Sequence, residues 1–199
     1  MEGKESYSDL DCPRKIRYQD RFLGIFSKCE RTFILAGPPK SICSHIKRLR
    51  KLKVHHITSY EYKHDTWIGQ LGTLKANKIH GIKCLHGDIL NAPNKDYIGL
   101  ELDFCGTIDK FLEHVKKFTS RNTIFTFSLR TGKKNPDSKS AGWYKEYTIR
   151  TFFKERNETI IHNVNSSGIN ESTIVTDNGI YTIVTYNDSG NAMIMFIKL

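Results

Sequence analysis

The chain has 199 residues, 38% hydrophobic and 11% aromatic, with a formal net charge of +10 and a pI near 9.4. That composition excludes a wholly disordered chain, and the length suffices for one large domain whose core needs neither disulfides nor a structural metal. No apolar run approaches the roughly 20 residues of a membrane span, and the positive surplus points to a polyanion, nucleic acid first and an acidic membrane surface second.

The N-terminal Met1-Glu-Gly-Lys-Glu-Ser-Tyr7 carries charge but no apolar h-region, so a soluble protein that stays in the cytoplasm is expected, without a membrane partner. Cys12, Cys29, Cys43, Cys84 and Cys105 are odd in number and never spaced as C-x-x-C, which reads as reduced thiols. His55 and His56 are neighbours that would point to opposite faces of a strand, so no metal site is expected there. Residues 1–30 read as an N-terminal extension or packing helix, with Tyr18, Phe22, Leu23 and Phe26 as its apolar side, and residues 31–199 as the main domain.

Arg31 to Ile34 begins a β-rich run that Gly37, Pro38 and Pro39 stop, and Ile42, Ile46, Leu49 and Leu52 follow at helical spacing, with Ser41 as the expected N-cap. The basic run from Lys47 to Lys53 reads as a solvated helix face. Val54 to Tyr60 gives a second strand ending at Glu61, with Trp67, Ile68, Leu71 and Leu74 on a helix after it. Ile79 to His86 gives a third strand ending at Gly87-Asp88, and Tyr97 to Asp103 a fourth, before a helix marked by Ile108, Phe111, Leu112, Val115 and Phe118. Thr123 to Leu129 is the fifth strand, apolar or β-branched as a strand covered on both faces should be.

Arg130 to Lys145 then reads as a long polar loop, Tyr147 to Val164 as a helix, and residues 172–199 as an antiparallel meander of three strands. Strands alternating with helices predict an α/β protein, a doubly wound, mostly parallel sheet with helices on both faces and a C-terminal antiparallel strand pair.

Glu61, Asp88 and Asp103 thus stand at successive strand ends, after a glycine turn at Gly37. A single acid of this kind is a helix cap or a surface carboxylate as readily as a site residue; the ordered series resembles the class I S-adenosylmethionine-dependent methyltransferases, whose Rossmann-like sheet ends in an antiparallel pair. The resemblance covers residues 31–199. It implies S-adenosyl-L-methionine as cofactor, with Ala36 and Gly37 at its methionine part, although Pro38-Pro39 replaces the later glycines of that motif. It implies Glu61, or failing that Asp65, on the ribose hydroxyls, where two acceptor oxygens suit the task, and Gly87, Asp88 and Ile89 by the adenine.

The string Glu101-Leu-Asp-Phe-Cys-Gly-Thr107 is similar to the Asp-Leu-Asp-Pro-Phe/Tyr-Gly-Ser/Thr of tRNA guanine dimethyltransferases, with Phe104 for proline and Cys105 for the aromatic. Asp103 would then be the catalytic acid facing the reacting group, with Asp103 and Phe104 also lining the cofactor. The loop would supply the nucleic-acid side, RNA favoured, through Arg130, Lys133, Lys134, Lys139 and Trp143, with Tyr144 and Tyr147 as further stacking surfaces. Two other readings stand beside this one. The first is a methyltransferase-shaped protein that has lost catalysis and only binds nucleic acid. The second is a haloacid dehalogenase-like phosphatase, which Asp103-Phe-Cys-Gly-Thr-Ile108 and Ser128 resemble, with Cys105 in place of that family's second Asp.

Overall fold

The computed structural model describes residues 16, 20–93, 95, 97–104, 106–115, 117–118, 122–129, 141–153, 158–166, 169–176, 179–188 and 191–198. The elements are β1 (Arg31–Ile34), α1 (Pro39–Lys51), β2 (Ile57–Glu61), α2 (His64–Ala76), β3 (Lys83–His86), β4 (Ile98–Asp103), α3 (Leu112–Val115) and β5 (Thr123–Ser128), then α4 (Ala141–Phe153), β6 (Glu158–Ser166), β7 (Ile169–Thr176), β8 (Gly179–Asp188) and β9 (Asn191–Lys198). They form a Rossmann-like mixed sheet with hydrogen-bonded order β3-β2-β1-β4-β5-β9-β8-β7-β6. Two compact units divide the chain: Met1–Pro93 with Tyr97–Glu101, and Asn94–Asp96 with Leu102–Leu199. No helix among the described residues is long and apolar enough to cross a membrane.

The first unit holds the parallel strands, with Thr32↔Ile57, Thr58↔Lys83 and Thr32↔Gly99 in register. Successive side chains of a strand face opposite ways, and one face is packed by α1 and α2. Ile42, Ile46 and Leu49 of α1 are fully buried at helical spacing, as the sequence predicts. Phe22, Leu23 and Phe26 of the N-terminal segment are buried too, and a Cβ on Gly99 would meet Phe26 at 2.6 Å, so glycine there makes room for that ring. Lys47, Arg50 and Lys51 are exposed, as a solvated face should be. Arg48 departs from that reading, since its guanidinium reaches His45 Nδ1 at 2.9 Å and Asp20 at 3.7 Å.

The second unit differs from expectation in three places. The helix after β4 is short, a 3-10 turn at Ile108–Lys110 followed by the single turn of α3. The segment expected to be loop up to Lys145 is already helix from Ala141, and α4 ends at Phe153, so it does not extend to Val164. Residues 158–166 form β6, paired antiparallel with β7. Ile160 and Ile161 continue the helical spacing of Phe152 and Phe153, but Thr159-Ile-Ile161 is β-branched and pairing with β7 decides. The antiparallel portion is therefore a four-strand meander, larger than a strand pair, joined to β5 through Thr123↔Lys198 to Ser128↔Met193. Phe152 of α4 stacks on Phe196 of β9 at 4.0 Å and 4°, and Phe153 meets Tyr181 edge-on at 5.2 Å. These rings form the core of the unit.

Candidate functional site

The carboxyl ends of β1, β2 and β3 form one rim, since Ile34↔Ser59 and Glu61↔His86 are register partners on adjacent strands. Gly37 follows β1 with φ +70, a left-handed conformation that glycine adopts without strain, and no atom lies within 4 Å of where its Cβ would stand. Gln70 Nε2 of α2 donates to its carbonyl at 2.6 Å, which ties the turn to the helix. Ala36 beside it is buried. The expected cap at Ser41 is not what the chain uses. Pro38 is the N-cap and Pro39 the first helical residue, where its missing N–H and fixed φ cost nothing, and Ser41 is buried inside the first turn. Pro39 also packs into α2, because a Cβ on Gly69 would stand 2.6 Å from its Cγ.

Glu61 ends β2, and its Oε1 accepts the Lys63 N–H at 2.8 Å while its carbonyl accepts the Gly87 N–H at 3.0 Å. Asp88 caps the 3-10 turn Ile89–Asn91, accepting the Leu90 N–H on Oδ1 at 2.9 Å. Ile89 is buried beneath that turn. The cap reading of Asp88 is thus correct as far as it goes. Each carboxylate is oriented through one oxygen, and among the described residues the other oxygen has no protein donor.

Sequence reasoning missed the rings that cluster at the ends of β2 and β3. Trp67 stacks on His86 at 5.3 Å and 24°, His64 meets His86 edge-on at 5.3 Å, and Tyr62 is 76% exposed. The available signal was positional: Tyr62 directly follows one acid, and His86 precedes Gly87-Asp88. Trp67 Nε1 also donates to the Cys84 carbonyl at 3.1 Å, and burial pushes the Cys84 thiol up to about 11, which keeps it protonated at neutral pH. Among the described residues no group of three His, Cys, Asp or Glu could hold a metal ion.

Asp103 and Phe104 belong to the second unit. Asp103 is the last residue of β4, half-buried. The chain after it is held to β5, with the Phe104 N–H donating to Thr126 O at 2.9 Å and the Ser128 N–H to Gly106 O at 2.8 Å. The Phe104 ring lies between Phe111, at 4.4 Å, and Phe127, at 5.4 Å, so it packs a core and is 6% exposed. Trp143 stands on α4, 38% exposed, stacked on Tyr147 at 5.2 Å, and Tyr147 Oη donates to Asp109 Oδ1 at 2.7 Å. Tyr144 is buried. Arg130, Lys133, Lys134 and Lys139 lie outside the described residues.

No family model and no curated protein matches the sequence. Solved structures do match. A candidate rRNA methylase from Clostridium thermocellum superposes with a TM-score of 0.52 at 9% identity, over 92% of this chain and 95% of that one. SMU.1697c, a candidate methyltransferase from Streptococcus mutans solved with SAH, gives 0.51 at 11% identity, over 94% and 98%. The fold is that of the class I methyltransferases. Trm5b from Pyrococcus abyssi shares it, with a TM-score of 0.51 at 14% identity over 99% of this chain and 52% of that one. In an open α/β sheet ligands bind outside the carboxyl ends of the strands, and in this class I methyltransferase fold that edge carries Gly37, Glu61 and Asp88. The open space at Gly37 and the carboxylate oxygens without a protein donor among the described residues fit an adenosyl group. The first turn of α1 fits the amino-acid end less well, because Pro38 and Pro39 have no N–H and the Ser41 N–H is spent on Pro38 O.

Proposed function

We propose that the chain is a methyltransferase that takes S-adenosyl-L-methionine as cofactor and acts on nucleic acid, RNA favoured. The observation that carries this reading is the pair Glu61 and Asp88 on the rim, with one acceptor oxygen each left without a protein donor among the described residues, in a class I methyltransferase fold. Glu61 accepts the ribose hydroxyls on the oxygen that Lys63 leaves open, whose two lone pairs can take two donors. Asp88 accepts from the adenine amino group, with the backbone at Gly87 and Ile89 fixing its position. Ala36 and Gly37 let the backbone approach the remainder of the cofactor. When bound, the cofactor supplies an electrophilic methyl group on a sulfonium, so the protein's task is alignment and exclusion of water more than proton transfer.

Asp103 accepts a hydrogen bond from the acceptor group and orients its lone pair; Phe104 supports Asp103 from its aromatic stack. Arg130, Lys133, Lys134 and Lys139 bind phosphates, and Trp143 offers a stacking face. The proline pair at the start of α1 favours a second reading, a nucleic-acid-binding protein of this fold without transferase activity. Incorporation of a labelled methyl group into total RNA separates the two. The enzyme reading predicts incorporation that falls at least about 100-fold in Asp103→Asn, and wild-type protein that transfers no label under saturating cofactor would leave the binding protein.

A further inference from the structure

The first unit contains a second concavity, on the opposite sheet face from α1 and α2. Arg31 and Phe33 of β1, Tyr60 of β2, and Lys83 and Leu85 of β3 line it, together with His56 just before β2. Register explains the gathering: Phe33↔Thr58↔Lys83 form one row across three strands, Tyr60↔Leu85 the next, and alternation sends all of these side chains to the same face. The space is about 340 Å³, within the range of ligand-binding clefts. Its two materials are distinct. Arg31, His56 and Lys83 are exposed at the amino ends of their strands, whereas Phe33 and Tyr60 meet ring to ring at 5.7 Å and 60° in the floor. No acidic side chain among the described residues lines the cleft. The positive φ of His56 and Gly81 turns the chain sharply before β2 and β3 and brings those strands to the cleft.

We infer that this cleft binds a single-stranded stretch of RNA, its phosphates on Arg31, His56 and Lys83 and a base against Tyr60 and Leu85. The inference rests on the RNA reading above and adds a docking surface remote in sequence from the basic segment after β5. Charge complementarity selects the occupant: Arg31 and Lys83, in a cleft that no described acidic side chain lines, match a polyanion, and ring faces match unpaired bases, which stack without regard to sequence.

The test is the binding of a labelled single-stranded oligoribonucleotide to the full chain over a salt series. Arg31→Glu/Lys83→Glu changes two exposed residues and should leave the melting temperature and the S-adenosylhomocysteine thermal shift unaltered. Affinity is expected to fall at least about tenfold, with the slope of log affinity against log salt reduced by about one to two. A 4-thiouridine-containing strand is expected to crosslink within β2 or β3. Wild-type affinity and slope in the double variant would overturn the inference, as would wild-type protein that ignores the oligonucleotide and binds phosphatidylserine vesicles. The two readings fail separately: loss of the cofactor shift with discrimination by the double variant intact would end the transferase reading and leave the cleft, whereas methyl transfer with unaltered RNA affinity in the double variant would end the cleft alone.

Discussion

Glu101 is an acid in a buried strand, 2% exposed, and His45 Nε2 lies 2.7 Å from its Oε2. A guanidinium can only donate, so Arg48 fixes the tautomer: His45 Nδ1 accepts from Arg48 and Nε2 carries the proton that it donates to Glu101. The group holds α1 to β4 through polar contacts that burial makes costly to break. Glu101→Ala, which leaves the histidine donor facing a cavity, is expected to cost about 3 kcal/mol in urea unfolding, and Glu101→Gln, which keeps an acceptor, about 1 kcal/mol. Equal losses in the two variants would mean that the hydrogen bond carries little of the effect. At this scale the sequence was informative only in part. Asp88 and Glu61 are legible as acids at strand ends, but their local hydrogen bonds to Leu90 and Lys63 are set by turns that the residue types leave open.

The joint between α1 and α2 shows what an element contributes beyond its periodicity. Pro39 begins α1 and its ring sits in the notch that Gly69 leaves in α2, while Gly72, one turn further on, faces open space. Gly69→Ala is therefore expected to overpack the joint and destabilise by about 1–3 kcal/mol, whereas Gly72→Ala should stabilise by roughly 0.4–1 kcal/mol through helix propensity and loss of unfolded-state freedom. Thermal unfolding of the two variants in parallel checks the opposite signs. The βα units were legible because Ile42, Ile46 and Leu49 have a clear 3.6 period and β5 is apolar or β-branched nearly throughout. The region around α4 was not, since Trp143 and Tyr144 read as loop aromatics in a Gly- and Lys-rich context, and the isoleucines of β6 share their spacing with the end of the helix. Only long-range pairing with β7 resolves that ambiguity, and a single sequence does not display it.

For the whole molecule, a net charge of +10 and a class I methyltransferase fold combine into one account. On the proposed reading the rim of Gly37, Glu61 and Asp88 takes the adenosyl group, and the basic surface takes the nucleic acid. The rim lies within one compact unit, so cofactor recognition can be measured apart from the catalysis proposed at Asp103. The proline pair at the mouth of that rim is the feature that most challenges the account, because it removes two amide donors from the turn. Isothermal titration of S-adenosylhomocysteine into the full chain is the most direct measurement. The account predicts one saturable site, weakened at least about tenfold in Glu61→Ala and in Asp88→Ala with melting of the ligand-free protein little changed. A flat titration at millimolar ligand, or full affinity in both variants, would contradict it.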